Sequence, residues 1–257
     1  MQYAEIPPAP RLRQYVKTFW TLQGAGAGAP SQRILPDGCF EAVFHFGDPF
    51  AHQARRQPAA MMIGEIRRAV VIEPGEAIDV LGVRFRAAGI AAFLKQPAAE
   101  LRDLIVPLDD VWRGLGDRLL NTPRVLRVSL LEEWLLGRLR PLDQLPFAAV
   151  SHLRRSGGAM SVRQLASAVG STERTLERTF HRTVGLTPKT FARLVRFRTW
   201  LTGGDNHYYD DPHLCHEFRA FAGVSPSDFR RESNAVNDAF VAAEPQIACD
   251  SVSGSTA

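Results

Sequence analysis

The chain contains only three cysteines among its 257 residues, and Cys39, Cys215 and Cys249 lie far apart. An odd, widely spaced set excludes a disulfide framework and does not match the ligand spacing of a zinc site. The sequence has no run of 18 apolar residues, so we expect no membrane span. Its first residues lack the basic start and apolar core of a secretory signal. Together these absences predict a protein of the reducing cytoplasm.

Signatures of common enzyme classes are also missing. The sequence has no Gly-rich phosphate loop, no GxSxG elbow and no HExxH motif. His45 has no second His within two residues, and His213 and His216 have no obvious third ligand nearby. We therefore expect no catalytic residues, no metal site and no cofactor, and a protein that is not an enzyme.

The positive charge is concentrated in one segment. Residues 151–231 carry 13 Lys and Arg against 7 Asp and Glu, a net charge of +6. Residues 232–257 carry four acids and no base. A local basic excess is what a polyanion-binding surface requires, and it also occurs on ordinary solvated surfaces. The polar, acidic composition of residues 233–257 predicts a disordered tail.

The first 85 residues contain short β-strand patterns. Phe19 and Trp20 begin one strand, and residues 40–46 (FEAVFHF) form an aromatic, β-branched one. Further strands are predicted at residues 61–64, 69–72 and 78–85. About five short strands separated by Gly and Pro turns predict a small β-sandwich or barrel-like domain.

Helical patterns flank and follow these strands. Short helices are predicted at residues 7–16 and 87–96, and a long amphipathic helix at residues 125–140. The apolar face of the long helix has two interpretations: it packs against the strands, or it pairs with its copy in a homodimer. Residues 141–146 (PLDQLP) indicate a boundary between two domains. We expect an α+β protein with a β-rich domain and helical connector at residues 1–140.

Residues 161–193 carry the pattern around which the chain is organised. Ser161 is a helix cap before the apolar face of Leu165, Ala166 and Val169. Gly170 follows, where a sharp turn needs positive φ, and Ser171 or Thr172 caps a second helix. Gly185 ends that helix, and Pro188 occupies the first turn of a third. Two helices joined by a Gly turn are the plan of a helix-turn-helix.

The outward positions of the second helix carry DNA-reading chemistry. Arg174 and Arg178 can bind guanine edges bidentately, and Glu177 can accept a hydrogen bond from cytosine N4. Thr172, Arg182 and Lys189 are candidates for phosphate contacts. The alternative is an ordinary amphipathic hairpin with a solvated charged face.

A shift of 38 residues aligns residues 172–193 with residues 210–231. Identical residues recur at matching positions: Leu176 and Leu214, Phe180 and Phe218, Gly185 and Gly223, Pro188 and Pro226, Phe191 and Phe229, Arg193 and Arg231. The identities imply two similar helix-Gly-helix units.

These motifs support a family resemblance. FRAFAGVSPSDFRR and TFHRTVGLTPKTFARLVRFR resemble the paired helix-turn-helix domain of AraC/XylS-type transcription regulators, over residues 145–232. LPDGCFEAVFHFGDP, GVRFRAAG and ELRDLIVPLDDVW resemble the sensor-like domain often fused to it. The resemblance implies a bacterial regulator that binds double-stranded DNA, with Arg174, Glu177 and Arg178 reading bases. It leaves open a small-molecule effector, a partner of the front domain and homodimerisation.

The second unit departs from the family pattern. Only about ten residues, 201–210, precede Asp211-Pro212, so we expect the support helix of the second unit to be deleted. Pro212, Cys215 and His216 stand where the first unit has Arg174, Glu177 and Arg178. We expect the first unit to bind DNA and the second to serve only in packing. The alternative function is a small-molecule- or protein-binding module whose truncated helical half no longer binds DNA specifically.

Overall fold

The computed structural model describes residues 1–203 and 212–231. The strands are β1 Gln2–Ile6, β2 Val16–Ala25, β3 Gln32–Ile34, β4 Glu41–His45, β5 Ala51–His52, β6 Arg55–Arg56, β7 Ala60–Ile63, β8 Val70–Ile72, β9 Ala77–Phe85 and β10 Ile105–Pro107. The helices are α1 Leu115–Leu120, α2 Arg124–Leu136, α3 Leu145–Arg155, α4 Val162–Ala168, α5 Glu173–Thr183, α6 Pro188–Gly203, α7 Pro212–Ala222 and α8 Pro226–Arg231. The α+β class predicted from the sequence is confirmed.

The front half is built on one antiparallel sheet of six strands, in the order β1-β2-β9-β4-β7-β10. Successive side chains of a strand point to opposite faces, so Phe19 and Trp20 belong to different cores. Helices α1 and α2 cover the face that carries Phe19. A two-stranded ribbon formed by β3 and β8 lies over the face that carries Trp20.

Helix α2 buries its apolar stripe in the front half. Leu131, Trp134 and Leu135 belong to the first core, and the Trp134 ring lies 4.9 Å from that of Trp112. This packing accounts for the buried part of the predicted amphipathic face. At its beginning, Val125 and Leu126 remain exposed. The helix ends at Leu136, four residues before the predicted end, and Gly137 follows it.

Two predicted helices are wrong. Residues 7–16 form only a 3₁₀ turn at Pro10–Leu12, after which strand β2 begins at Val16. Residues 87–96 form only a 3₁₀ turn at Gly89–Ala92. Ala88 has a left-handed φ of 70°, which an α-helix cannot continue through. The apolar residues here are shared between two cores, with Ala88 in one and Ile90 in the other.

The helical half shares its core with the front half. Leu35 and Ala87 from the front half are buried in the same cluster as Phe180, Phe191 and Phe197. The two halves therefore pack through a continuous apolar contact. Within the described ranges, no helix has the length and hydropathy needed to cross a membrane. The predicted disordered tail, 233–257, lies outside the described residues.

Candidate nucleic-acid interface

Helices α4 and α5 form a compact pair. Leu165 and Ala166 of α4 and Leu176 and Phe180 of α5 are all buried in one cluster. Helix α3 packs against both, adding Leu153 to the cluster. The spacing of four between Leu176 and Phe180 places them on one face of α5. The opposite face of α5 is therefore left to solvent.

Local signals fix where the two helices begin and how the chain bends between them. The Ser161 hydroxyl accepts a hydrogen bond of 3.2 Å from the Gln164 backbone N–H, while Gln164 Oε1 accepts one of 2.9 Å from the Ser161 N–H. Gly170 has φ +63°, in the left-handed region. Thr172 caps α5, accepting a hydrogen bond of 3.2 Å from the Thr175 N–H. The predicted caps and turn residue thus occupy the predicted positions, with Thr172 as the second cap.

The predicted base-reading residues share the solvent face of α5. Arg174, Glu177 and Arg178 are exposed, and within the described chain no hydrogen bond or ion pair engages them. Their spacing of three and four keeps their side chains on adjacent turns. The geometry leaves three charged side chains able to reach a ligand together.

The predicted phosphate-binding residues are also exposed, in different settings. Arg182 lies in the last turn of α5, and Lys189 is the second residue of α6. The Thr187 hydroxyl caps α6 by accepting a hydrogen bond of 3.1 Å from the Thr190 N–H. The Thr172 hydroxyl already donates to Thr175 Oγ1 at 3.0 Å, so it would have to share its proton with a phosphate.

The second helix-Gly-helix unit predicted from the repeat is present as α7 and α8. Gly223 joins them with φ +76°, close to the +84° of Gly185 in the first unit. Eight residues, 204–211, separate α6 from α7; the predicted loss of a support helix concerns this segment, which lies outside the described residues. Pro212 begins α7, His216 is exposed and Cys215 is partly buried.

Residues that join the two halves escaped the sequence analysis. Arg102 Nη1 donates a hydrogen bond of 3.2 Å to the Gly185 carbonyl. A Cβ atom on Gly38 would lie 2.8 Å from the Phe191 ring. The sequence carries one signal for this contact, because apolar residues occupy several faces of α6: Phe191, Ala192, Leu194, Val195 and Phe197. Such a helix is typically buried on more than one side.

A cavity of about 70 Å³ lies between the sheet and the β3–β8 ribbon. Its walls are almost entirely apolar and include Trp20, Val43, Met61 and Ile72. The volume exceeds the roughly 10–15 Å³ that one water requires, yet it is small for a drug-sized ligand.

Buried polar atoms gather at one side of this cavity. Both ring nitrogens of His45 and Oε1 of Gln57 are buried without a hydrogen-bond partner in the part of the chain described. The Gln57 amide lies near the ring but without regular hydrogen-bond geometry. Burial lowers the pKa of His45 to about 4, so the imidazole is neutral at pH 7. A neutral imidazole offers one donor and one acceptor to a bound molecule.

A buried charged cluster borders the cavity. Arg84 pairs with Glu41, which lines the cavity, and lies 3.6 Å from Asp37. Burial opposes ionisation of Asp37, but Arg84, Arg198 and Lys17 outweigh it and hold its pKa below the usual range. Burial raises the pKa of Glu41, against the opposing effect of Arg84, and Asp37 adds to the rise. Arg198 belongs to α6, so the cluster also connects the two halves.

Known proteins match different parts of this architecture. A family model described as a domain of unknown function, DUF6597, matches residues 4–107. No curated protein matches the chain. Solved structures of ToxT from Vibrio cholerae are similar in fold. One from strain O395 has 8% identity and a TM-score of 0.42, and covers 83% of this chain and 97% of its own. Another has 7% identity and a TM-score of 0.43, with coverage of 89% and 98%.

Among residues 1–203 and 212–231, no three His, Cys, Asp or Glu side chains lie close enough to hold a metal ion. The buried carboxylates Asp37 and Glu41 instead face the guanidinium of Arg84.

Proposed function

We propose that this protein is a sequence-specific, DNA-binding transcription regulator of the bacterial cytoplasm, in which α5 enters the major groove. The observation that carries this proposal is the exposed set of Arg174, Glu177 and Arg178 on a helix supported by α4, with no hydrogen-bond or ion-pair partner among the described residues. Helix α5 has 11 residues, a length of roughly 16 Å. A major groove about 12 Å wide admits the diameter of an α-helix, which is roughly 10–12 Å with its side chains.

The side chains take distinct roles in this proposal. Arg174 and Arg178 bind guanine edges, and Glu177 accepts from cytosine N4. Arg182 and Lys189 contact phosphates, and Thr172 does so while retaining its capping bond. The N-terminal end of α6, which carries Lys189, adds backbone N–H groups that also favour an anion.

The domain assignment follows the same proposal. Residues 1–140 act as a sensor-like domain with its connector, residues 145–232 as an AraC-type DNA-binding domain, and residues 233–257 as a tail. The similarity of residues 172–193 to AraC-type motifs and the exposed face of α5 support it. A single reading helix makes few phosphate contacts, so a homodimer would supply the remaining affinity.

Selection of bound DNA tests the proposal. The intact protein is incubated with random genomic double-stranded fragments at 50 and 200 mM salt, and bound fragments are sequenced. We expect an enriched half-site the width of one major groove, repeated once where a homodimer binds, and an affinity that falls as salt rises. Binding without any sequence preference at either salt concentration would refute the proposal, and a footprint over two successive grooves from one monomer would refute the single reading helix.

A second candidate function is small-molecule binding, by which the front half modulates DNA binding or acts alone. The cavity favours it, together with the buried His45 and Gln57 atoms that have no hydrogen-bond partner among residues 1–203 and 212–231. They fit a small, uncharged, mostly apolar molecule with one hydrogen-bonding group. Ethanol, 2-propanol and acetamide are suitable probes in ligand-observed NMR, because a cavity of about 70 Å³ is roughly half the size of one that admits benzene.

The matched variant for this experiment is His45→Phe, which removes the polar atoms. Saturable binding that His45→Phe abolishes supports the ligand site. If all three probes bind both proteins equally weakly, the cavity does not recognise this chemistry. Because DNA is absent, the result is independent of the selection experiment.

A further inference from the structure

The β3–β8 ribbon forms one wall of the cavity. Ile34 of β3 and Val70 and Ile72 of β8 line it. The register pairs Ile34 with Val70 and Arg33 with Val71. Neighbouring residues of a strand point to opposite faces, so Arg33 and Val71 face away from the cavity. The ribbon therefore has a cavity face and an outer face.

The outer side of the ribbon holds the end of α7. Arg33 Nη1 donates a hydrogen bond of 3.1 Å to the Ala222 carbonyl. The Ala69 N–H, next to β8, donates one of 2.7 Å to the Phe221 carbonyl. The last four carbonyls of a helix have no partner within the helix. The front half thus supplies partners that α7 cannot supply itself.

Helix α7 also packs against α6, which connects it to the rest of the helical half. Phe221 stacks on Phe197 of α6 with ring centroids 5.0 Å apart, and Phe218 meets the same ring at 5.4 Å. Arg193 of α6 binds Glu217 of α7 through a bidentate ion pair at 2.8–3.0 Å. Phe191 of α6 packs against Phe180 of α5. A continuous set of packed groups joins the ribbon to α5.

We infer that the second helix-turn-helix unit is a transmission element, which the β3–β8 ribbon couples to the cavity. A molecule that fills the cavity pushes on Ile34, Val70 and Ile72, displaces the ribbon and changes the hold on the end of α7. This inference rests on the proposed function, because it assigns the cavity a ligand and α5 a DNA site. It also explains why α7 retains the fold of a reading helix without its side-chain chemistry.

Hydrogen exchange in the full-length protein tests the coupling without a known ligand or DNA. Val43 lines the cavity from β4, on the sheet opposite the ribbon, and Val43→Phe serves as a built-in occupant. Arg33→Ala removes the bond to α7, and Arg55→Ala is its control, an exposed arginine of the same half. Exchange is measured in peptides from residues 212–231 for each single variant and each combination with Val43→Phe.

We expect Val43→Phe to change exchange in residues 212–231 by at least about fivefold in the native and Arg55→Ala backgrounds. In the Arg33→Ala background the change should fall below about twofold, because only the Ala69 backbone bond to the end of α7 then remains. An equal change in all three backgrounds, or none in any, overturns the inference. If Val43→Phe fails to fold, Ile63→Phe takes its place on β7. DNA selection fails or succeeds independently of this readout.

Discussion

The side chain of Arg102 reaches across the two halves and donates a hydrogen bond of 3.2 Å to the carbonyl of Gly185, where α5 gives way to α6. Gly185 is buried and has φ +84°. Gly185 lies two residues beyond the end of α5, so a guanidinium from the front half binds the turn that follows the proposed reading helix. The position of α5 therefore depends on residues outside the helical half.

Loss of this contact should destabilise the protein. Arg102→Ala is expected to lower the free energy of unfolding by about 1–2 kcal/mol, because the Gly185 carbonyl loses a charged donor. Urea denaturation of the intact protein measures it. Arg67→Ala is the control, since Arg67 makes an exposed ion pair with Asp103 and should contribute less than about 1 kcal/mol. Equal losses in the two variants would contradict the assigned role.

The Arg178 side chain should contribute base preference. Arg178→Ala is expected to weaken binding to the selected half-site by about 1–3 kcal/mol and to relax preference at one base position. Fluorescence anisotropy with the selected site and its single-base variants measures both effects. The control is Arg118→Ala, an exposed arginine on α1 of the front half. A uniform loss on every DNA sequence would show that Arg178 touches only phosphate.

The turn at Gly38 should tolerate no side chain. Gly38 has φ +75°, and an added Cβ would lie 2.8 Å from Phe191 Cε2. Gly28 has nearly the same φ, +73°, but no atom within 4 Å of its added Cβ. Gly28→Ala thus reports backbone strain alone, of roughly 1–2 kcal/mol. We expect Gly38→Ala to lower the free energy of unfolding by at least about 1 kcal/mol more, because the halves must separate slightly. Equal urea midpoints for the two variants would show that the contact between residue 38 and Phe191 adjusts without a cost in free energy.

Glu65 should make stability fall as pH rises. Its carboxylate oxygens are buried without a hydrogen-bond partner in the described chain, and burial, with Asp37 and Asp103, raises its pKa to about 9 from 4.5. The unfolded chain releases this proton above about pH 4.5, whereas the folded protein keeps it up to about pH 9. The stabilisation is therefore complete below that window and declines through it.

Glu65→Gln removes this titration. At pH 8 the variant is expected to exceed the native protein in free energy of unfolding by on the order of 2 kcal/mol, with little difference at pH 5. Urea denaturation at both pH values measures it, with the exposed Glu100→Gln as the control. The same difference at pH 5 and pH 8 would show that Glu65 does not titrate in this window.

Sequence alone predicted the elements whose causes are local. Ser161, Gly170, Thr172 and Gly185 act on their own backbone or within four residues, so capping and turn rules located α4 and α5. The repeat predicted α7 and α8 for the same reason. Strands β4 and β9 followed from their alternating and β-branched residues. The helix predicted at residues 87–96 was wrong. The apolar pattern there resembles that of a helix, but tertiary packing divides its apolar residues between two cores.

The sequence by itself determined where α4 and α5 form and which charged side chains α5 presents, because those depend on interactions within one or two helical turns. Only the tertiary structure decided that the two halves share a core, that β3 and β8 close a cavity, and that Arg33 and Arg102 hold the ends of distant helices. The hydrogen bonds of Arg102 and Arg33 join residues 83 and 189 positions apart. Their formation depends on how several elements pack at once, which no local pattern encodes.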